Sequence, residues 1–269
     1  MDRSEDSRSR RRTKEEIREL VMDAGRSILV EEGLGVGAGD LTFKRAFERV
    51  EATTGERLTN ASVIRRVWEN QADFQTDVLA SVASAGESNG ELNSTIEAVA
   101  PLFAALDRSS PEARLRSVSD VCRVAGEASF HAMVDSRSWS LWVGVWVLTA
   151  TSSPTPHSDR LRRALVDGYE LDTTRWGEMH GGLAAHLGMR LRAPFTLRQF
   201  TVAVGALVEG CVLRQIGADD LALIERPTGP GGTMQPWTLF AVGLEALTRQ
   251  FFELDPDWVP PDEPIVAGG

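Results

Sequence analysis

Apolar residues recur every three or four positions along most of the chain, which is the spacing of amphipathic helices. The spacing predicts helices over residues 13–32, 94–106, 110–134, 138–151, 158–190, 196–215 and 236–253. Three of these segments open on a capping-box sequence: Thr13 with Glu16, Ser94 with Glu97 and Thr196 with Gln199. No segment alternates as a strand would, and no internal repeat is present. The pattern therefore predicts an all-α protein.

Residues 40–79 predict a short helix, a break, a second short helix and a longer third helix. The first has one apolar face, made of Phe43, Ala46, Phe47 and Val50, and Thr53–Gly55 ends it. Thr59 or Asn60 can cap the second. Its outward face would carry Thr59, Asn60, Ser62, Arg65 and Arg66. Such a face suits a DNA major groove, and it is also typical of a solvated helix surface.

The whole amino-terminal order of elements resembles the DNA-binding domain of TetR-family (tetracycline-repressor-like) regulators. The matching segments are RTKEEIRELVMDAGRSILVEEGLG, LTNASVIRRVW and NQADFQTDVLASV, with Trp68 and Phe74 as apolar anchors after the recognition helix. The resemblance implies an operator-binding surface made of Thr42, Lys44, Arg45, Thr59, Asn60, Ala61, Ser62, Arg65 and Arg66. Two family features differ: Ile64 or Arg65 stands where a Tyr is usual, and Gln71 where a Lys is usual.

The two carboxy-terminal helices, 196–215 and 236–253, contain several small residues: Gly205, Ala206, Gly210, Gly243 and Ala246. Small residues allow helices to approach closely. The family resemblance implies that this pair packs against the same pair of a second subunit, giving a homodimer with two recognition helices about one DNA turn apart. The alternative is that these apolar stripes only fill the core of one subunit.

Aromatic residues are concentrated in the middle of the chain. Trp139, Trp142 and Trp146 share one face of a helix, since they lie at positions i, i+3 and i+7. The resemblance implies an effector cavity in the same region, lined by Phe103, Phe130, His131, Trp139, Trp142, Trp146, Trp176, Met179 and His180. Glu178 is a further polar candidate. The alternative is that the tryptophans fill a core.

Composition bounds the remaining possibilities. With 269 residues and 42% hydrophobic side chains, the chain can bury a substantial core. The net charge is −10, yet residues 1–70 contain 14 basic and 14 acidic side chains, so the acidic excess lies in the rest. The Arg-rich start, residues 1–12, is either a phosphate-binding arm or a solubilising tail. Cys122 and Cys211 are expected to be buried free thiols.

Segment boundaries follow from these patterns. We expect a disordered Arg-rich arm (1–12), a helix-turn-helix domain (13–85), a helical effector and dimerisation domain (86–253) and a Pro-rich tail (254–269). No apolar segment follows the Arg-rich start, and the run 141–150 is too short to span a bilayer. A cytoplasmic protein without membrane association is therefore expected.

Motifs for catalysis are missing from the sequence. There is no metal-binding His or Cys spacing, and GLGVGAG at 33–39 lacks the Lys and the preceding strand of a phosphate loop. We therefore expect no cofactor, no metal and no enzymatic activity. The leading hypothesis is a ligand-responsive transcriptional regulator, most often a repressor, that binds double-stranded DNA and a hydrophobic effector. The alternatives are a helical carrier or sensor without DNA binding and, third, a helical enzyme.

Overall fold

The computed structural model describes residues 12–34, 38–59, 66–85, 89–218, 221–228 and 232–259. Within these ranges the chain is mostly helical, with four short strands. The chain divides into two compact units. Unit 1 consists of Met1–Ala85 and Ser140–Asp167, and unit 2 of Gly86–Trp139 and Gly168–Gly269. The boundary after Ala85 coincides with the one expected from the sequence, whereas residues 140–167, expected in the second domain, belong to unit 1.

Unit 1 begins with helices α1 (Lys14–Glu32), α2 (Phe43–Thr54) and α3 (Gln71–Ser84). The Thr13 capping box is formed, since Thr13 Oγ1 accepts from Glu16 N and Glu16 Oε2 accepts from Thr13 N. Gly55 ends α2 with φ of 72°, a left-handed conformation that favours glycine. The second short helix predicted at 59–68 falls largely on residues 60–65, which lie outside the described residues.

The core of unit 1 joins these three helices to the 140–167 segment. Phe74 of α3 stacks on Phe43 of α2 at 4.8 Å between ring centroids, and Trp68 meets Phe74 edge-on at 5.1 Å. Trp142 and Leu161 belong to the same buried cluster. The apolar anchors recognised in the sequence are therefore true core residues, and the core recruits helices from far along the chain.

Further along the chain are α4 (Asn89–Ala105), α5 (Pro111–Asp135), α6 (Arg137–Thr151) and α7 (Pro156–His186). The division between the units passes through α6 and α7. The capping box predicted at Ser94 is wrong, because Ser94 lies inside α4. Ser110 does cap α5, where its Oγ accepts from Ala113 N at 3.1 Å.

Helix α7 runs without interruption through Gly177, Gly181 and Gly182. Gly177 and Gly181 allow α8 (Leu197–Ala218) to approach it closely. A Cβ on Gly181 would lie 3.0 Å from Leu197 Cδ2, and one on Gly177 would lie 3.5 Å from Thr201 Oγ1. Gly126 likewise allows α5 to approach α9 (Leu239–Phe251) closely, since a Cβ on Gly126 would lie 2.8 Å from Ala241 Cα.

The prediction that no strands are present is wrong. Strands β1 (Met189–Leu191) and β4 (Phe252–Leu254) form an antiparallel pair, and β2 (Ile224–Pro227) pairs with β3 (Met234–Trp237). Strands of three or four residues are too short to produce a detectable alternation in sequence. The tail expected from residue 254 begins within β4, and its described part is packed on unit 2: Trp258 Nε1 donates to Ala185 O at 3.0 Å, and the guanidinium of Arg114 lies over the Trp258 ring.

Candidate functional site

The expected DNA-binding residues are only partly described. Asn60, Ala61, Ser62 and Arg65 lie outside the described residues, so their prediction stands as a prediction. Thr42 is the N-cap of α2, where its hydroxyl accepts from Arg45 N at 3.3 Å. Thr59 and Arg66 are exposed on either side of the undescribed segment.

The basic side chains of α2 differ in their availability. Lys44 is 84% exposed and has only a 3.8 Å contact with Glu48. Arg45, in contrast, is paired with Glu32 of α1, and Arg49 is paired with Glu31. These pairs hold α2 against α1, and hydrogen bonding to Glu32 raises the pKa of Arg45 further above its ordinary value. Lys44 is thus the more available cation of the two predicted on this helix.

A buried carboxylate organises the interior of unit 1. Asp77 of α3 is 6% exposed, and its Oδ2 accepts from Trp68 Nε1 at 2.8 Å and from Arg18 Nη2 at 2.9 Å. Its Oδ1 is paired with the guanidinium of Arg160 on α7. Trp68 lies three positions after the undescribed segment 60–65, so Asp77 fixes the chain just beyond that segment.

Unit 2 contains an apolar cavity of about 60 Å³. Eighteen residues line it, from α5, α7, α8, α9 and both strands of the β1–β4 pair. The α5 and α7 residues are Val118, Val121, Cys122, Ala125, Ser129, Trp176, Met179, His180, Leu183 and Ala184. The others are Leu187, Met189, Phe200, Val204, Phe240, Leu244, Thr248 and Phe252. None is Asp, Glu, Lys or Arg, so the cavity is electrically neutral.

His180 is the principal polar group of the cavity. Its Nδ1 lies 3.2 Å from Thr201 Oγ1 of α8, and the ring of Phe200 meets it edge-on at 5.1 Å. Burial lowers the pKa of His180 to about 4, so the imidazole is neutral at physiological pH. A neutral imidazole has one donor nitrogen and one acceptor nitrogen.

Only three of the nine residues predicted to bind ligand line this cavity, namely Trp176, Met179 and His180. Trp142 is 4% exposed within the core of unit 1, and Trp146 is 46% exposed. The expected wall of three tryptophans is therefore wrong for this cavity. Trp139 and Phe130 are buried elsewhere, and Phe103 packs edge-on against His186. His131 and the further candidate Glu178 are both exposed.

Sequence reasoning missed the lining residues contributed by α8 and α9. Helical spacing in the sequence places Phe200 and Val204 on one face of α8, and Phe240 and Leu244 on one face of α9, but such a face is equally typical of helix packing. The spacing of apolar residues does not show whether the space facing them is filled by other side chains or left as a cavity. The predicted free, buried thiols are confirmed for both cysteines, and burial raises the pKa of Cys122 to about 12.

The opposite face of α8 is apolar and exposed. Val202, Ala206, Gly210 and Leu213 follow one another at helical spacing, and all four are exposed. By length and composition α8 could also cross a membrane, with a mean hydropathy of 1.4, although about a third of that stretch is buried in the protein. A contiguous exposed apolar face is typical of a surface that contacts another protein or a membrane.

Within the described ranges, no group of three or more His, Cys, Asp or Glu side chains could hold a metal ion. The polar residues of the cavity contain no arrangement of nucleophile and base, since the thiol of Cys122 is kept protonated and bonds Thr248 at 3.6 Å. What the site can do is enclose a neutral apolar molecule. No protein-family model matches the chain, and no curated protein matches it.

Proposed function

We propose that this protein is a ligand-responsive DNA-binding regulator that works as a homodimer, with unit 1 contacting the operator and unit 2 holding a hydrophobic effector. The observation that carries the proposal is the neutral apolar cavity of unit 2 in a chain whose amino-terminal segments resemble TetR-family regulators. The packing of Phe43, Trp68 and Phe74 supports the assignment of a helix-turn-helix head. We propose repression as the mode of action.

The mechanism is a shift between two conformations. An effector in the cavity binds one conformation more tightly, and the two recognition helices no longer match successive major grooves in that conformation. A difference of roughly 1–3 kcal/mol in effector binding is enough to change operator affinity by 5-fold to 150-fold.

DNA binding is tested by selection from a pool of random duplexes, followed by gel-shift titration of the enriched sequence. We expect a two-fold symmetric site. The double variant Arg65→Ala/Arg66→Ala should lose roughly 1–3 kcal/mol for each arginine that reads a base. The matched control is Arg162→Ala/Arg163→Ala, on α7, which should bind normally. Unchanged affinity in the first variant would contradict the assignment of the recognition helix.

The Arg-rich arm provides a second test of the same surface. Deletion of residues 1–12 should flatten the dependence of DNA affinity on salt concentration, because fewer counterions are released from the DNA. An unchanged slope would identify the segment as a solubilising tail.

Dimerisation through α8 and α9 is supported by the exposed apolar face of α8 and by Leu239 of α9, which is also exposed. Gly210→Glu should produce a monomer in light scattering, because a carboxylate would be buried in the interface without a partner. No heavy atom within 4 Å opposes a side chain at Gly210 in the single chain, so the fold should persist. Gly182→Glu on α7 is the control, since it is equally open. A monomeric unmodified protein would refute the dimer.

A carrier or sensor that binds the same ligand without DNA is the second candidate. It is favoured by the pairing of Arg45 and Arg49 with acidic residues of α1, which reduces the basic surface of α2. The absence of an enriched duplex, together with ligand binding to unit 2, would support this candidate over the first.

A further inference from the structure

We propose that the cavity of unit 2 selects a small, uncharged and mostly apolar molecule that carries one hydrogen-bonding group, which binds the Nε2 atom of His180. The inference defines the chemical class of the effector and in that sense rests on the proposed function. The binding step itself is independent of DNA.

The first step of the argument concerns charge. None of the eighteen lining residues is formally charged, and the thiol of Cys122 and the imidazole of His180 are both neutral at physiological pH. The nearest buried carboxylate on α9, Glu245, is paired with Arg249 and Arg226 and does not line the cavity. A carboxylate or an ammonium group in the cavity would therefore be desolvated without a counter-charge, which is costly.

The second step concerns hydrogen bonds. Thr248 Oγ1 donates to Leu244 O at 2.8 Å and accepts from Cys122 Sγ at 3.6 Å, so both groups already have hydrogen-bond partners within the protein. The Nδ1 of His180 bonds Thr201 Oγ1, which leaves Nε2 for a second hydrogen bond. If the Thr201 hydroxyl donates to Nδ1, Nε2 carries the proton and donates to the ligand; in the other tautomer it accepts. A hydroxyl group on the ligand satisfies both cases.

The third step concerns size and orientation. The volume of about 60 Å³ suits a compact molecule. The rings of Trp176 and Phe200 both pack near the imidazole of His180, with centroids at 6.0 and 5.1 Å from it. These rings limit the rotation of the imidazole. The apolar part of the ligand then has α5 and α9 as its walls, and its single polar group is directed toward α7.

The experiment uses four probes of one shape on the full-length protein without DNA: toluene, benzyl alcohol, benzoate and benzylamine. Dissociation constants are measured by isothermal titration calorimetry at neutral pH. Benzyl alcohol should bind roughly 2-fold to 12-fold more tightly than toluene, as expected for one net hydrogen bond. Benzoate and benzylamine should bind at least tenfold more weakly than benzyl alcohol.

His180→Phe should abolish the preference for benzyl alcohol over toluene and retain toluene binding. Thr201→Val is the second variant, in case His180→Phe fails to fold, and should reduce the same preference by releasing Nδ1. The matched control for Thr201→Val is Thr174→Val, because Thr174 is an exposed hydroxyl of α7 that does not line the cavity. Ser129→Ala tests the competing hydroxyl on the lining. The proposal is overturned if a charged probe binds as tightly as benzyl alcohol or if no probe binds at millimolar concentration. It is also overturned if the preference disappears in Ser129→Ala while it persists in the His180 variant.

These outcomes separate the two levels of inference. If the protein binds benzyl alcohol through His180 but enriches no duplex, the ligand-binding inference stands and the proposal of a DNA-binding regulator is refuted. If the protein binds an operator but none of the probes, only the ligand-binding inference is refuted.

Discussion

Two buried polar groups, Asp77 of unit 1 and His180 of unit 2, are bonded in opposite ways. In unit 1 the carboxylate of Asp77 has three partners within the protein: Trp68 and Arg18 through hydrogen bonds and Arg160 through an ion pair. In unit 2 the imidazole of His180 has one bond to Thr201 at the edge of an unfilled space. A carboxylate held by charged partners fixes geometry, whereas a neutral group beside a cavity leaves bonding capacity for a ligand.

The two regions also use tryptophan differently, and this gives the largest predicted effect. Trp142→Ala should lower the free energy of unfolding by roughly 3–5 kcal/mol, because it removes a large side chain from the packed core of unit 1. Trp146→Ala, on the same helix, is the control and should cost under about 1 kcal/mol, since its side chain is 46% exposed. Urea denaturation measures both. Equal losses would mean that the core assignment of Trp142 is mistaken.

The neutral His180 predicts how stability depends on pH. Its pKa is about 4 in the folded protein against an ordinary value of 6.5, so between these values the unfolded chain binds more protons. Stability should therefore fall by about 3 kcal/mol as the pH decreases from 6.5 to 4. His180→Gln should lack this fall.

The difference between wild type and His180→Gln is the quantity to measure, by urea denaturation at several pH values. Glu209 has the opposite dependence, because burial and the nearby Asp172 raise its pKa to about 7. Since the variant retains Glu209, that contribution cancels in the difference. A difference independent of pH would show that His180 is not buried in its neutral form.

The charged cluster of unit 1 should be sensitive to loss of charge at constant shape. Asp77→Asn should cost about 2 kcal/mol, less than the roughly 3–5 kcal/mol of a fully buried pair, because Arg18 and Arg160 remain partly solvated. Asp159→Asn is the control: its exposed pair with Arg162 should contribute under about 1 kcal/mol. If Asp77→Asn leaves the free energy of unfolding unchanged in thermal or urea denaturation, the stabilising role of the Asp77 cluster in unit 1 is contradicted.

Filling the cavity gives the smallest effect and the opposite sign. Ala125→Leu, directed into the cavity from α5, should raise the free energy of unfolding by about 1 kcal/mol and weaken benzyl alcohol binding. Gly126→Ala, the next residue, should be destabilising because its Cβ would lie 2.8 Å from Ala241 Cα. Destabilisation by Ala125→Leu would indicate that the space is already tightly closed.

The sequence predicted individual helices better than their assembly. The Thr13 and Thr196 capping boxes are both formed, because a cap depends on residues three positions apart. The place of residues 140–167 in unit 1 depends on contacts such as that between Arg160 and Asp77, which are far apart in sequence. No local pattern encodes such contacts.

The candidate site shows the same limit. Trp176, Met179 and His180 were expected at the cavity and line it, since they share one stretch of α7. Trp139, Trp142 and Trp146 were grouped with them by residue type and helical spacing. Helical spacing says which residues share a face, but it does not say whether the facing surface is complementary or leaves a void.

The β1–β4 pair has a consequence for how ligands could enter. Its register, from Met189 opposite Leu254 to Leu191 opposite Phe252, closes a loop of about 60 residues that contains both α8 and α9. Arg190 and Arg192 reinforce the closure through Glu253. The amides of β1 and β4 should therefore exchange with solvent deuterium together with those of the cavity-facing turns of α8, as one cooperative opening event. A ligand that slows the exchange of this whole loop would show that entry requires its opening.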